Sequence, residues 1–244
     1  AREGTRYVGP LVAIWNQLFM IPYFMWVREA PKPRVEGDKI GDALKQLKTT
    51  LRNILKRRSL AAYLFSSMFY RDALNALYGF GGVYATLVLD WSIIMIGVFG
   101  IVGAITAAIS AYVGGLFDRR VGPKPVISFT SLFLIIVCGG IVGMSREMLF
   151  GVPLAEGSSL PDIIFYVCGA AIGGAGGALY AASRSMMVRH ANPDRPTEAF
   201  GLFALSGKAT ACLAPALIGI VSYLTNSPRI GVSPIILLFL IGLF

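Results

Sequence analysis

Residues 91–144 read WSIIMIGVFGIVGAITAAISAYVGGLFDRRVGPKPVISFTSLFLIIVCGGIVGM, two apolar runs (91–113 and 125–144) joined by a short loop with Arg119, Arg120 and Lys124. Each run holds about 20 residues, the length an α-helix needs to cross a hydrocarbon core of about 30 Å. The pattern continues on both sides. Further apolar runs occupy 7–27, 59–87, 163–187 and 199–224, and another starts near residue 231 and is cut short by the chain end. The sequence predicts an all-α polytopic membrane protein with six full spans and part of a seventh.

Composition agrees. Of 244 residues, 55% are hydrophobic and 14% charged, and mean hydropathy is +0.67. Soluble domains carry about 25% charge. The chain cannot clothe a water-soluble globule, which argues against a soluble enzyme or a nucleic-acid-binding module. The net charge of +9 belongs to loops instead. Residues 28–58 hold ten Lys and Arg, and basic residues recur after the third and fifth spans, whereas the opposite loops hold only Arg146 and Arg229. Under the positive-inside rule the basic side is cytoplasmic, residue 1 lies outside and residue 244 inside. A multi-pass location, expected in a bacterial inner membrane, follows. Both ends look cut, so the chain is expected to be a piece of a longer protein.

Ile40, Leu44, Leu47, Leu51, Ile54 and Leu55 recur at helical spacing among Lys and Arg, predicting a basic amphipathic helix on the lipid surface. Small residues recur at four-residue spacing in two spans: Gly103, Ala107, Ala111 and Gly115, and Gly169, Gly173, Gly177, Ala181 and Ser185. Such rows let helices approach closely in lipid. Cys138, Cys168 and Cys212 sit in apolar runs as small filler, and His190 is expected to be a solvated loop residue. There is no Ser–His–Asp set and no metal-ligand spacing, so neither enzyme activity nor a cofactor or metal is expected.

Charges inside spans carry more information. An ionised side chain at the bilayer centre costs at least about 2.5–3.5 kcal/mol and usually faces a cavity or a partner. Arg71, Asp72 and Lys208 are of this kind. Asp72 lies about 20 Å and Lys208 about 14 Å along their spans from the basic side. The spacing predicts that Asp72 or Arg71 meets Lys208 across a helix contact. Lys208 would hold a substrate carboxylate, with Asp72 as counter-ion or proton carrier. Asn75, one turn beyond Arg71, would line the same cavity.

Two segments resemble a known family. Gly114–Pro125, GGLFDRRVGPKP, resembles the cytoplasmic-loop motif of the major facilitator superfamily, with Gly114, Leu116, Asp118 and Arg119 in place and one extra residue before Gly122. Residues 182–220, ASRSMMVRHANPDRPTEAFGLFALSGKATACLAPALIGI, resemble the Atg22-like vacuole-effluxer branch through Ser183, Arg184, Ser185, Arg189, Pro193, Glu198, Phe200, Gly201, Leu202, Ala204, Leu205, Ser206, Gly207 and Lys208. Residues 19–31 and the second span are similar to that branch's sixth and seventh helices.

The resemblance implies a major facilitator superfamily helical bundle, with these spans as helices six to twelve of twelve, the last truncated. Residues 1–27 would be the sixth helix, 28–58 the linker between halves, and 59–244 the C-terminal half, lacking its N-terminal partner half. It further implies that Asp118 and Arg119 hold one conformation through contacts with helix ends, and that Arg184 and Glu198 form a gate pair. The function expected is secondary active transport of a small-molecule substrate, an amino acid or similar zwitterion, coupled to protons. A drug or metabolite exporter lined by Phe69, Tyr70 and Tyr78, or a non-transporting assembly or receptor protein, are the alternatives.

Overall fold

A computed structural model describes residues 3–28, 41, 45, 49, 52, 57–155, 158–191 and 196–243; the side chains of 3–6 and 196–198 are not among those described. The chain divides into two compact units, residues 1–50 and 51–244. In the first, α1 (Glu3–Trp26) contains Pro10 and Pro22. Its stretch Tyr7–Trp26 is long and apolar enough to cross a membrane. The apolar residues of the expected amphipathic helix lie outside the described residues, but Gly41, Lys45, Thr49 and Arg52 are helical, and the Thr49 hydroxyl donates to the Lys45 carbonyl at 2.8 Å.

The second unit is a helical bundle: α2 (Arg58–Val88), α3 (Ile93–Val121), α4 (Pro123–Val142), α5 (Leu160–His190), α6 (Pro196–Ala209), α7 (Leu213–Thr225), α8 (Pro228–Gly231) and α9 (Ser233–Leu243). A short hairpin, β1 (Met148–Leu149) with β2 (Val152–Pro153), turns through Phe150 and Gly151, both at positive φ, between α4 and α5. Local chemistry sets the boundaries. Ser92 caps α3 by accepting the Met95 N–H. Gly122 (φ 88) ends α3, its N–H bonded to the Asp118 carbonyl, and Pro123 opens α4, so one Gly–Pro step closes a helix and starts another.

Five stretches are long and apolar enough to span: Tyr7–Trp26, Ile93–Val121, Pro123–Val142, Leu160–His190 and Ala199–Thr225. The remaining full span expected, 59–87, lies in α2. At 31 residues α2 is long enough, but it is not among the five. Its Arg71, Asp72 and Asn75 lower its apolarity, and its buried face, which includes Tyr70, Leu74 and Tyr84, packs within the protein. The last run is divided into α8 and α9, a shorter apolar stretch.

The glycine rows partner each other. α3 and α5 make the most extensive helix contact of the bundle. A Cβ on Gly173 would strike Gly103, and one on Gly177 would strike Ala107. The expected row drifts, however: farther along α3 it is Ser110 that meets Gly174 and Gly114 that meets Ala178, while nothing lies near Gly115. A straight helix repeats every 3.6 residues, so a strict four-residue row cannot stay on one face. α5 also packs on α4, and α9 lies against α2 and α4.

At the end bearing the hairpin, Trp91, Phe99, Phe165 and Tyr166 form an aromatic cluster, Phe99 stacked on Phe165 at 5.0 Å. Trp91 Nε1–H and Arg146 Nη1 both donate to Asp162 Oδ1, each at 2.6 Å. At the basic end, Tyr63 donates to the Ser183 carbonyl at 2.6 Å. Ser183 Oγ donates to the Leu179 carbonyl, so the Tyr70 hydroxyl, 2.9 Å away, donates to Ser183 Oγ.

Candidate functional site

The stretch expected as one span at 199–224 is broken into α6 and α7, and residues 210–212 form a turn between them. Pro215 accounts for the break. It has no N–H to offer the Ala211 carbonyl, and in a continuous helix its ring would collide with that carbonyl. The chain tightens there, with the Leu213 N–H donating to the Thr210 carbonyl at 2.8 Å.

α2 lies against this break. The Thr210 hydroxyl donates to the Met68 carbonyl at 3.2 Å. Buried Asp72 accepts the Ala214 N–H on Oδ2 at 3.0 Å. Ala214 is the second residue of α7. The first N–H groups of a helix lack intrahelical partners and form the positive end of its dipole. Asp72 therefore supplies the cap that α7 lacks locally.

Arg71 turns the other way. Its Nη1 donates to the Phe203 carbonyl at 2.7 Å, and its guanidinium carbon lies 3.9 Å from the centroid of the Phe203 ring. Gly207 makes room, because a Cβ there would meet the guanidinium. Gly207 belongs to the last turn of α6, the negative end of that dipole. Two neighbouring residues of opposite sign thus flank the break, each beside the dipole end that attracts it.

The expected contact with Lys208 is corrected here. The Lys208 side chain is exposed and makes no hydrogen bond or ion pair among the described residues. α6 turns Phe203 and Gly207 toward α2, and the next residue is rotated about 100° away. Asn75 is exposed one turn beyond Arg71, and its Oδ1 accepts the Tyr180 hydroxyl at 2.5 Å. Asp72 and Asn75 line a cavity of about 510 Å³ between α2 and α7, walled by Phe80, Ala211, Pro215 and Ser222. Of the aromatics named for an exporter, Tyr70 is buried and Phe69 half-buried, with Phe69 packed on Phe65 at 4.9 Å; Tyr78 is exposed.

In the loop motif, Asp118 is buried and Arg189 Nη2 lies 3.3 Å from its Oδ1. Arg189 stands in the last turn of α5, so the contact expected with a helix end is made by Asp118. Arg119 is exposed. Gly114 closes on α5, where a Cβ would come within 2.8 Å of Ala178. Arg184 is exposed, and the side chain of Glu198 lies outside the described residues.

His190 is not a solvated loop residue. It is half-buried in the last turn of α5 and stacks on Tyr63 at 5.8 Å. Its Nδ1 lies 3.0 Å from the Met186 carbonyl and therefore carries a proton, while Nε2 lies 3.0 Å from Ser59 Oγ. Sequence reasoning also missed Phe203 and the helix break, although Pro215 inside an apolar run was the available signal.

Comparison with known proteins adds to this geometry. The profile of the family described as "Vacuole effluxer Atg22 like" matches residues 3–244. An uncharacterized MFS-type transporter, YxiO, of Bacillus subtilis is 24% identical over 234 residues, covering 96% of this chain and 51% of that protein. Autophagy-related protein 22-2 of Emericella nidulans is 25% identical over 249 residues, covering 93% of this chain and 41% of that protein. Autophagy-related protein 22-1 of Aspergillus clavatus is 25% identical over 245 residues, with 93% and 39% covered. No solved structure matches. The chain thus spans about half the length of these relatives or less.

Proposed function

Because this chain belongs to the Atg22-like vacuole effluxer family, we propose that it forms the C-terminal half of a secondary transporter. It carries small zwitterions of the amino-acid class by alternating access, coupled to protons, in a bacterial inner membrane with its basic loops cytoplasmic. Residues 1–27 are the last helix of the other half and 28–58 the linker. The membrane-transporter character comes with the family and the MFS-type relative; the solute, the coupling and the division of the chain are our reading.

The observation that carries the reading is the interrupted span. In secondary transporters, solute and ion sites form where half-helix ends meet at membrane depth. Here α6 and α7 part beside a cavity of about 510 Å³, with Arg71 and Asp72 at the two ends. Asp72 is the proton carrier in this scheme. A bond to an ionised acceptor is roughly twice as strong as one to a neutral acceptor, so protonation loosens the hold of α2 on α7 and lets the half-helix tilt. Lys208, exposed beside the break, lends positive potential to the solute path. Gly114, Asp118 and Arg119 with Arg189 hold the cytoplasmic end in one state, and Arg184 and Glu198 gate it.

The test uses the full-length gene product in proteoliposomes with a labelled amino-acid mixture, with and without a pH gradient. Gradient-dependent uptake, reduced by Lys208→Ala and abolished by Asp72→Asn, is the expected result. No uptake of any amino acid by protein shown to be folded overturns the amino-acid assignment and favours an exporter of other solutes.

A further inference from the structure

Among the described residues, Arg71 is a charged group without a matching charge. It lies about 20 Å along α2 from the helix start, which on the transporter reading is membrane depth. Its neighbour Asp72 is committed to the Ala214 N–H on the other side of the break. Among the described residues no carboxylate stands within ion-pair distance of Arg71. A guanidinium has five N–H donors. One bond, to the Phe203 carbonyl, is made, and Nε is buried with no partner. The negative end of α6 contributes about half a charge, which leaves the other half uncompensated. An uncompensated cation at this depth is costly unless an anion completes it.

The setting is preformed. The Phe203 ring covers one face of the guanidinium, and Gly207 allows it to lie flat against α6. A planar group held this way keeps Nη2 and the second Nη1 hydrogen for a two-oxygen acceptor, Nε being buried. Beside it on α2, Asn75 spends its oxygen on the Tyr180 hydroxyl, so its amide N–H groups remain to donate. Asn75 is exposed and Arg71 is half-buried.

We propose that Arg71, held in place by Phe203 and assisted by Asn75, is the anchor for the carboxylate of the transported molecule. Lys208 is not that anchor. The carboxylate completes a cation that the fold leaves half-neutralised, and binding pulls on α6 through the same side chain. This rests on the transporter reading above and adds which atom group of the solute is recognised and by which residue.

The experiment measures uptake of labelled L-amino acids by the full-length protein in proteoliposomes, competed by unlabelled amino acids and by their amides, which lack the carboxylate. Amino acids are expected to compete and amides to fail. Arg71→Lys is expected to raise KM by about tenfold or more, the size of a lost charge-assisted bond, with kcat less affected. Phe203→Leu, which keeps the charge and removes the ring, is expected to raise KM several-fold and serves if the Arg71 variants do not fold. Equal competition by amides, or an unchanged KM in Arg71→Lys and Phe203→Leu, overturns the anchor while leaving the transporter reading standing, and assigns Arg71 to a carboxylate of the other half. Absence of wild-type uptake for every carboxylate probe, from folded protein, overturns both the anchor and the amino-acid assignment.

Discussion

Asp72 caps a helix that is 142 positions away in the chain, its Oδ2 lying 3.0 Å from the backbone nitrogen of Ala214. The bond ties α2 to the start of α7 and satisfies a donor that would otherwise stay unpaired beside a cavity. Asp72→Ala is expected to lower the stability of the full-length protein in detergent by about 1–2 kcal/mol, the range for loss of a helix cap. Asp72→Asn keeps an acceptor oxygen and should lose less than half of that. Thermal melting of the three proteins checks the order; an Ala variant as stable as wild type would show that the cap contributes nothing.

The seam between α3 and α5 is closed at Gly173 and Gly177. Gly173→Val and Gly177→Val drive methyl groups into the Gly103 and Ala107 backbone. Overpacking of this kind costs about 1–3 kcal/mol. Gly139→Ala, with open space around it, is the control and should be neutral. Folded yield by size-exclusion chromatography separates the outcomes, and equal yields would place the contact elsewhere.

Asp162 serves two donors of unequal worth. Arg146 is 41% exposed on its side chain, and surface pairs contribute at most about 1 kcal/mol. Trp91 is buried, and stranding its N–H costs about 1–3 kcal/mol. Arg146→Gln should therefore be nearly silent, while Asp162→Ala should destabilise and shift the Trp91 fluorescence. Equal effects of both variants would contradict this ranking.

The charge asymmetry predicts which ends of the helices face the cytoplasm. In a background with Cys138, Cys168 and Cys212 replaced by Ala, Lys124→Cys should react with an impermeant maleimide only after the membrane is opened, and Glu147→Cys in intact cells. The reverse pattern would invert the orientation.

The spans were legible because lipid imposes a length and a composition on them, and the loop motif and glycine rows because their residues are local in sequence. α2 departed from the simple pattern because Arg71 and Asp72 bond to the backbone of α6 and α7. The Lys208 pairing was misjudged because depth along two helices says nothing of rotation about their axes: Lys208 is about 100° from Gly207, and Gly207 meets Arg71. Asp72 was picked out by its cost in lipid, yet its partner is a backbone N–H, which no side-chain pattern announces. The polar chain around His190 points to a solvated residue; its stacking on Tyr63 joins residues 127 positions apart and is invisible to local reading.

The letters at positions 71 and 72 stand in an order that the direction of the chain dictates. A transposition, R71D/D72R, leaves composition, mean hydropathy and total charge untouched. It nevertheless sets a carboxylate against the Phe203 carbonyl and a guanidinium against the Ala214 N–H, turning two attractions into two repulsions. Such an anagram should be worse tolerated than neutralising either residue alone. The join between the two half-helices is thus polar in the sense of a keyed plug, accepting its two prongs one way round.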